Sequence, residues 1–124
     1  MTKFKFGSTV IPFTGWAVDP RQPGQERERH LQAVRRLVEE LHLQVVELSL
    51  DFGLLHPQVM DAAFYRRVAA LQEELGFACT IHLPFLWLDQ TSLNELVRQA
   101  SVESVRRAAE LARLFQVETY VLHL

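Results

Sequence analysis

Several features that would announce a function are scarce in this chain. Cys79 is the single cysteine among 124 residues, which excludes an intrachain disulfide and a cysteine-built zinc knot and suits a reducing cytosol. The 5 glycines and 5 prolines are dispersed. Gly7 stands alone rather than in a phosphate loop, and no Walker or dinucleotide fingerprint occurs. An excess of one charge is missing as well. The formal net charge of −2 gives no global basic field for holding nucleic acid. No apolar run approaches the ~20 residues of a bilayer span, and the N-terminus has no signal-peptide core. What is present, 48% hydrophobic and 23% charged residues, is the make-up of one ordinary globular domain. The expectation is a single cytoplasmic domain over residues 1–124, with no membrane partner.

Short β-rich runs alternate with long amphipathic stretches. Lys3 to Thr9 reads as a strand, followed by a Pro/Gly-rich loop through Ile11-Pro12, Gly15-Trp16 and Asp19-Pro20 to Gly24. From about Gln25 to His42, Leu31, Val34, Leu37, Val38 and Leu41 recur at helical spacing. Val45 to Leu50 is a second strand. Pro57 suits the first turn of the next helix, whose apolar face is Met60, Phe64, Val68, Leu71 and Leu75, with Gly76 where a C-cap glycine belongs. Ala78 to Leu83 is a third strand, stopped by Pro84. Ser92-Leu-Asn-Glu95 matches a capping box opening a short helix. A longer helix then runs from about Ser101 to Phe115 with Val102, Val105, Ala109, Ala112 and Phe115 inward. Glu118 to Leu124 is a fourth strand. Alternation at this spacing predicts a parallel sheet of right-handed βαβ units, an α/β fold.

Strands buried on both faces read as continuous apolar runs, and here they do not. Glu47, Ser49 and Asp51 share one face of the second strand, with Val46, Leu48 and Leu50 on the other. In the third strand Thr80 and His82 oppose Cys79, Ile81 and Leu83. In the fourth, Thr119, Val121 and His123 oppose Tyr120 and Leu122. One face is therefore apolar and suits a helical layer, while the other carries carboxylates, hydroxyls and two imidazoles. An open doubly wound sheet has no room for that polar side, whereas a barrel lumen does, with ligands gathered near its C-terminal mouth.

His82 and His123 lie near the C-terminal ends of successive strands. One such histidine alone reads as a core residue bonded to a backbone carbonyl; two in matching positions favour a site. His30, His42 and His56 read as ordinary helix and loop residues. Glu47 fits a metal ligand or base as well as it fits a partly solvated structural carboxylate. Asp51 faces a turn and suits a hydrogen bond to the backbone of Phe52-Gly53. Phe13, Trp16, Phe85 and Trp87 lie in loops at the same end, where aromatic rings stack on sugars, exclude water or fill space between loops. Cys79 falls on the apolar face as inert core.

Thr80-Ile81-His82-Leu83-Pro84-Phe85, the polar run through Asn94, Ala108-Ala109-Glu110-Leu111-Ala112 and Tyr120-Val121-Leu122-His123 together resemble the xylose isomerase-like TIM-barrel superfamily. That group holds sugar isomerases and epimerases and the metal-dependent apurinic-site endonucleases. Phe6-Gly7-Ser8-Thr9 and Val46-Glu47-Leu48 are similar to it too. The resemblance implies the first four strands of a (β/α)8 barrel, a truncated half, since such a barrel takes about 250 residues. It implies a divalent-metal site at the mouth, with His82 and His123 as metal ligands or substrate contacts, Glu47 as the catalytic carboxylate, and Trp16, Phe85 and Trp87 against a small sugar-type substrate. Imidazole with carboxylate suits zinc or manganese better than magnesium.

Two departures stand out. The superfamily usually has glycine before the second and fourth strands, where this chain has Leu43-Gln44 and Gln116-Val117. The carboxylates and histidines of strands five to eight are also absent, so the half alone is expected to be inactive. The endonuclease branch ranks lower, because Arg21 on the mouth loops is accompanied by Asp19, Asp51 and Asp89. A non-enzymatic alternative is a half-barrel assembly module, a homo-oligomer formed through its exposed strand edges.

Overall fold

A computed structural model describes residues 5–10, 17–19 and 21–123. Its elements in order are β1 (Gly7–Thr9), α1 (Pro23–Glu39), β2 (Val45–Ser49), α2 (Leu50–Leu55), α3 (Ala62–Leu75), β3 (Ala78–His82), α4 (Glu95–Ala112) and β4 (Thr119–Val121). The strands form one sheet in the order β1-β2-β3-β4, and every neighbouring pair is parallel. This is the expected series of βαβ units. Val46, Leu48, Cys79 and Ile81 are fully buried under the helices, together with Leu31, Val34 and Leu37 of α1 and Phe64, Tyr65, Val68 and Leu71 of α3. The Tyr65 ring stacks on Phe115 at 5.6 Å between centroids, so the segment just past α4 is tied to α3.

Helix boundaries follow local chemistry. Asp61 caps α3 by accepting the Phe64 N–H at 2.9 Å, and Gly76 ends that helix in the left-handed region at φ 71°. Pro57 is therefore not in the first turn of α3; it lies in the turn between α2 and α3. The two helices expected between Ser92 and Phe115 are one, capped by Asn94, whose side chain accepts the Leu96 N–H at 3.1 Å. In that single register Val102 points outward and is 51% exposed, not buried. The six-residue α2 was not expected; it follows Ser49 with no intervening loop.

Lys5, just before β1, places its Nζ 3.1 Å from Glu118 Oε1, just before β4. On the outer face Tyr120 and Leu122 are 47% and 48% exposed. The parity assigned to them holds, but the expectation that they pack under helices does not, because no described element lies over β4.

Candidate active site

The polar face is organised in rows by strand register. Thr9 pairs with Glu47, Glu47 with Thr80, and Thr80 with Thr119, which makes one row across all four strands. The next row is Ser49, His82 and Val121. His123 lies two residues beyond Val121, so the imidazoles meet diagonally rather than directly across. Their Nε2 atoms are 2.9 Å apart, with ring centroids at 4.7 Å. At that contact one ring nitrogen donates and the other accepts. Phe85 packs against both rings, 4.9 Å from His82 and 4.5 Å from His123 between centroids.

Beside this pair is a cavity of about 200 Å³ lined by Thr9, Glu47, Ser49, Asp51, His82, Phe85 and Leu86. Glu47 is half-buried there, while Ser49 and Asp51 are buried. On the other side of the sheet, burial and then the Glu47 carboxylate push the Cys79 thiol up to about 12, which keeps it an inert core residue. Asp51 does not bond the backbone of Phe52-Gly53. Its Oδ1 accepts the N–H of Phe85 at 3.0 Å and of Leu86 at 2.8 Å, and Ser49 Oγ lies 3.4 Å from its Oδ2. A carboxylate that is 1% exposed and holds two loop amides is fixed in place.

The loop after β3 is fastened at a second point, where the Asp89 N–H donates to the buried Ser101 Oγ at 2.9 Å. Between the fastenings Trp87 has φ 61° and is 77% exposed, a conformation that a bulky residue keeps only when its surroundings impose it. Trp87 therefore projects from the mouth but does not line the cavity, whereas Phe85 does. Phe13 and Trp16 lie outside the described residues. Asp51 and Ser101 hold this loop; the sequence reading gives Asp51 a bond to the backbone of Phe52-Gly53 and gives Ser101 no role beyond opening a helix. Asp51 shares parity with Glu47 and Ser49, but its partners lie 34 and 35 positions away.

The geometry admits a metal in part. Two nitrogens bound to one ion at roughly 2.0–2.1 Å are about 2.9–3.4 Å apart for right-angle to tetrahedral arrangements, and the observed 2.9 Å falls in that range. No group of three or more His, Cys, Asp or Glu able to hold an ion occurs among the described residues. His82 and His123 thus offer two positions of a coordination shell.

No protein-family model matches the chain, and no curated protein matches it. Among solved structures it superposes on a D-tagatose 3-epimerase-like protein with a TM-score of 0.68 at 20% identity, over 97% of this chain and 38% of that one. The fold is the first part of a TIM barrel. The expected fold, the first four strands of a barrel, therefore stands. In barrel terms the polar face is the lumen side, and the cavity opens where the strands end, at the mouth. The chain spans little more than a third of that neighbour's length. No described helix is long and apolar enough to cross a membrane.

Proposed function

We propose that the chain is the first part of a divalent-metal-dependent barrel acting on a small sugar or sugar phosphate as an isomerase or epimerase. The single observation that carries the reading is the imidazole pair at the barrel mouth, His82 Nε2 at 2.9 Å from His123 Nε2, beside a cavity that Glu47 helps to line. A bound divalent ion would polarise a carbonyl and an adjacent hydroxyl of the substrate. His82 and His123 would hold it, or contact substrate beside it. Glu47, half-buried and lining the cavity, would take or return a proton on the neighbouring carbon. Phe85 closes one side of the imidazoles against water. Trp87, exposed at the mouth, would offer an aromatic surface to a sugar ring; Trp16 lies outside the described residues. The remaining carboxylate ligands would come from elsewhere in a complete barrel, so the 124-residue chain alone is expected to show no turnover.

The test is zinc and manganese titration by calorimetry of the chain and of the His82→Ala/His123→Ala double variant. Weak binding by the chain that falls at least tenfold in the double variant supports the reading. Equal binding by both would identify two packed histidines instead of a site. Robust metal-dependent epimerisation by the 124-residue chain would overturn the inactivity.

A second reading has its own observation: among the described residues β1 and β4 are the edge strands of a parallel sheet, and Tyr120 and Leu122 are about half exposed. Such edges favour association of copies of this chain. Sedimentation velocity across a concentration series tests it, and a monomer at every concentration would dismiss it.

A further inference from the structure

We infer that Asp51 is a positioning residue, which sets the imidazole pair by clamping the loop that carries Phe85; the inference rests on the mouth of the barrel being the functional site. The argument begins with the carboxylate itself. Asp51 is 1% exposed, and a buried carboxylate is tolerated only where hydrogen bonds replace its water. Two consecutive backbone amides supply that replacement, Phe85 at 3.0 Å and Leu86 at 2.8 Å, both directed at Oδ1. Losing either partner would leave a buried polar group unsatisfied, so the start of the loop is fixed relative to the first turn of α2.

The fixed stretch includes the residue whose ring touches both histidines. Phe85 lies 4.9 Å from the His82 centroid and 4.5 Å from that of His123. The imidazoles themselves belong to different rows of the sheet, since His82 pairs with Val121 and not with His123. Their 2.9 Å meeting therefore depends on ring orientation, and the Phe85 ring borders both. Asp51 thus acts on the pair through one intermediary, and it need not touch a substrate or ion to do so. The left-handed backbone of Trp87, φ 61°, immediately follows the clamped amides and is a second sign that the loop is held in place.

The experiment compares the chain with its Asp51→Ala, Asp51→Asn and Phe85→Leu variants by amide hydrogen exchange and by imidazole 15N spectra of His82 and His123, with zinc affinity as a third readout. In Asp51→Ala, exchange at Phe85 and Leu86 should accelerate at least tenfold, the two imidazoles should lose their paired donor and acceptor signature, and zinc affinity should fall about tenfold. Asp51→Asn keeps an Oδ1 acceptor and should restore most of all three. Phe85→Leu should disturb the imidazole spectra while leaving Leu86 protected, which separates the ring from the clamp. Unchanged imidazole spectra in Phe85→Leu would overturn the inference even if Asp51→Ala fails to fold. Faster exchange in a folded Asp51→Ala with unaltered imidazoles would overturn it also. If the unsubstituted chain takes up no zinc, the metal reading fails, and the imidazole spectra still decide the role of Asp51.

Discussion

His30 carries a consequence that its position on an amphipathic helix half conceals. It is 1% exposed, with Nδ1 donating to the Glu26 carbonyl at 2.8 Å and its ring tilted against Phe52 at 4.5 Å and set edge-on to Phe64 at 6.4 Å. Burial lowers its affinity for a proton, the Glu26 carbonyl opposes that shift in part, and Arg29 and His56 lower it further. The folded state thus binds the proton less readily than the unfolded chain, whose imidazole titrates near 6.5. The stability linked to His30 is fully present above about pH 6.5 and declines as the pH falls toward the lowered folded value. Urea midpoints between pH 7 and pH 5 should fall more steeply for the chain than for His30→Asn, which keeps a donor and cannot titrate. Parallel slopes would contradict this. The spacing of His30, Val34 and Leu37 places it on the buried stripe, so its burial was legible in the sequence. The sequence reading takes it only as an ordinary helix residue. The diagonal meeting of His82 and His123 was legible only as shared parity, since row offsets come from pairing register and not from the strand's own period.

At the scale of elements, the two glycines at strand and helix ends fail for different reasons when substituted. A Cβ on Gly7 would stand 2.6 Å from both Val45 Cβ and Val45 O, so β1 and β2 would have to separate. Gly7→Ala should therefore cost about 1–3 kcal/mol, as overpacking does, and should expose β1 amides to exchange. Gly76 has nothing within 4 Å of a built Cβ and a φ of 71°, so Gly76→Ala meets only the left-handed penalty of about 1–2 kcal/mol. Protection of β1 should stay intact there, and its loss would refute the distinction. Gly76 was readable because a glycine after an apolar helical stripe has one common use. The short α2 was not, because six residues with a central glycine, Leu50-Asp51-Phe52-Gly53-Leu54-Leu55, are too few to display a helical period. The capping box at Ser92 misled for a related reason. Ser92 Oγ accepts the Asn94 N–H at 3.3 Å, a local turn, and the helix itself begins one residue after Asn94.

At the scale of the molecule, a sheet with four parallel strands has two edges. The Lys5–Glu118 pair spans the starts of β1 and β4, but its side chains are 53% and 56% exposed, so solvent screening leaves it little effect on stability. The outer face of β4 is the more consequential feature. Tyr120 and Leu122 continue the apolar parity that buries Cys79 and Ile81 completely, yet each is about half exposed. An open edge beside exposed apolar side chains is the arrangement that soluble proteins usually blunt with charge, proline or a covering element, and β4 has none of these among the described residues Thr119–Val121. The 124-residue chain is therefore expected to associate increasingly with concentration. Tyr120→Thr and Leu122→Thr together should shift sedimentation toward the monomer, while leaving the helical circular dichroism of the core unchanged. Both side chains lie outside the buried cluster that holds the strands to α1, α3 and α4, so the substitutions remove adhesion and not folding. A double variant that sediments as the unsubstituted chain does would show that the strand edges, and not this apolar face, govern association.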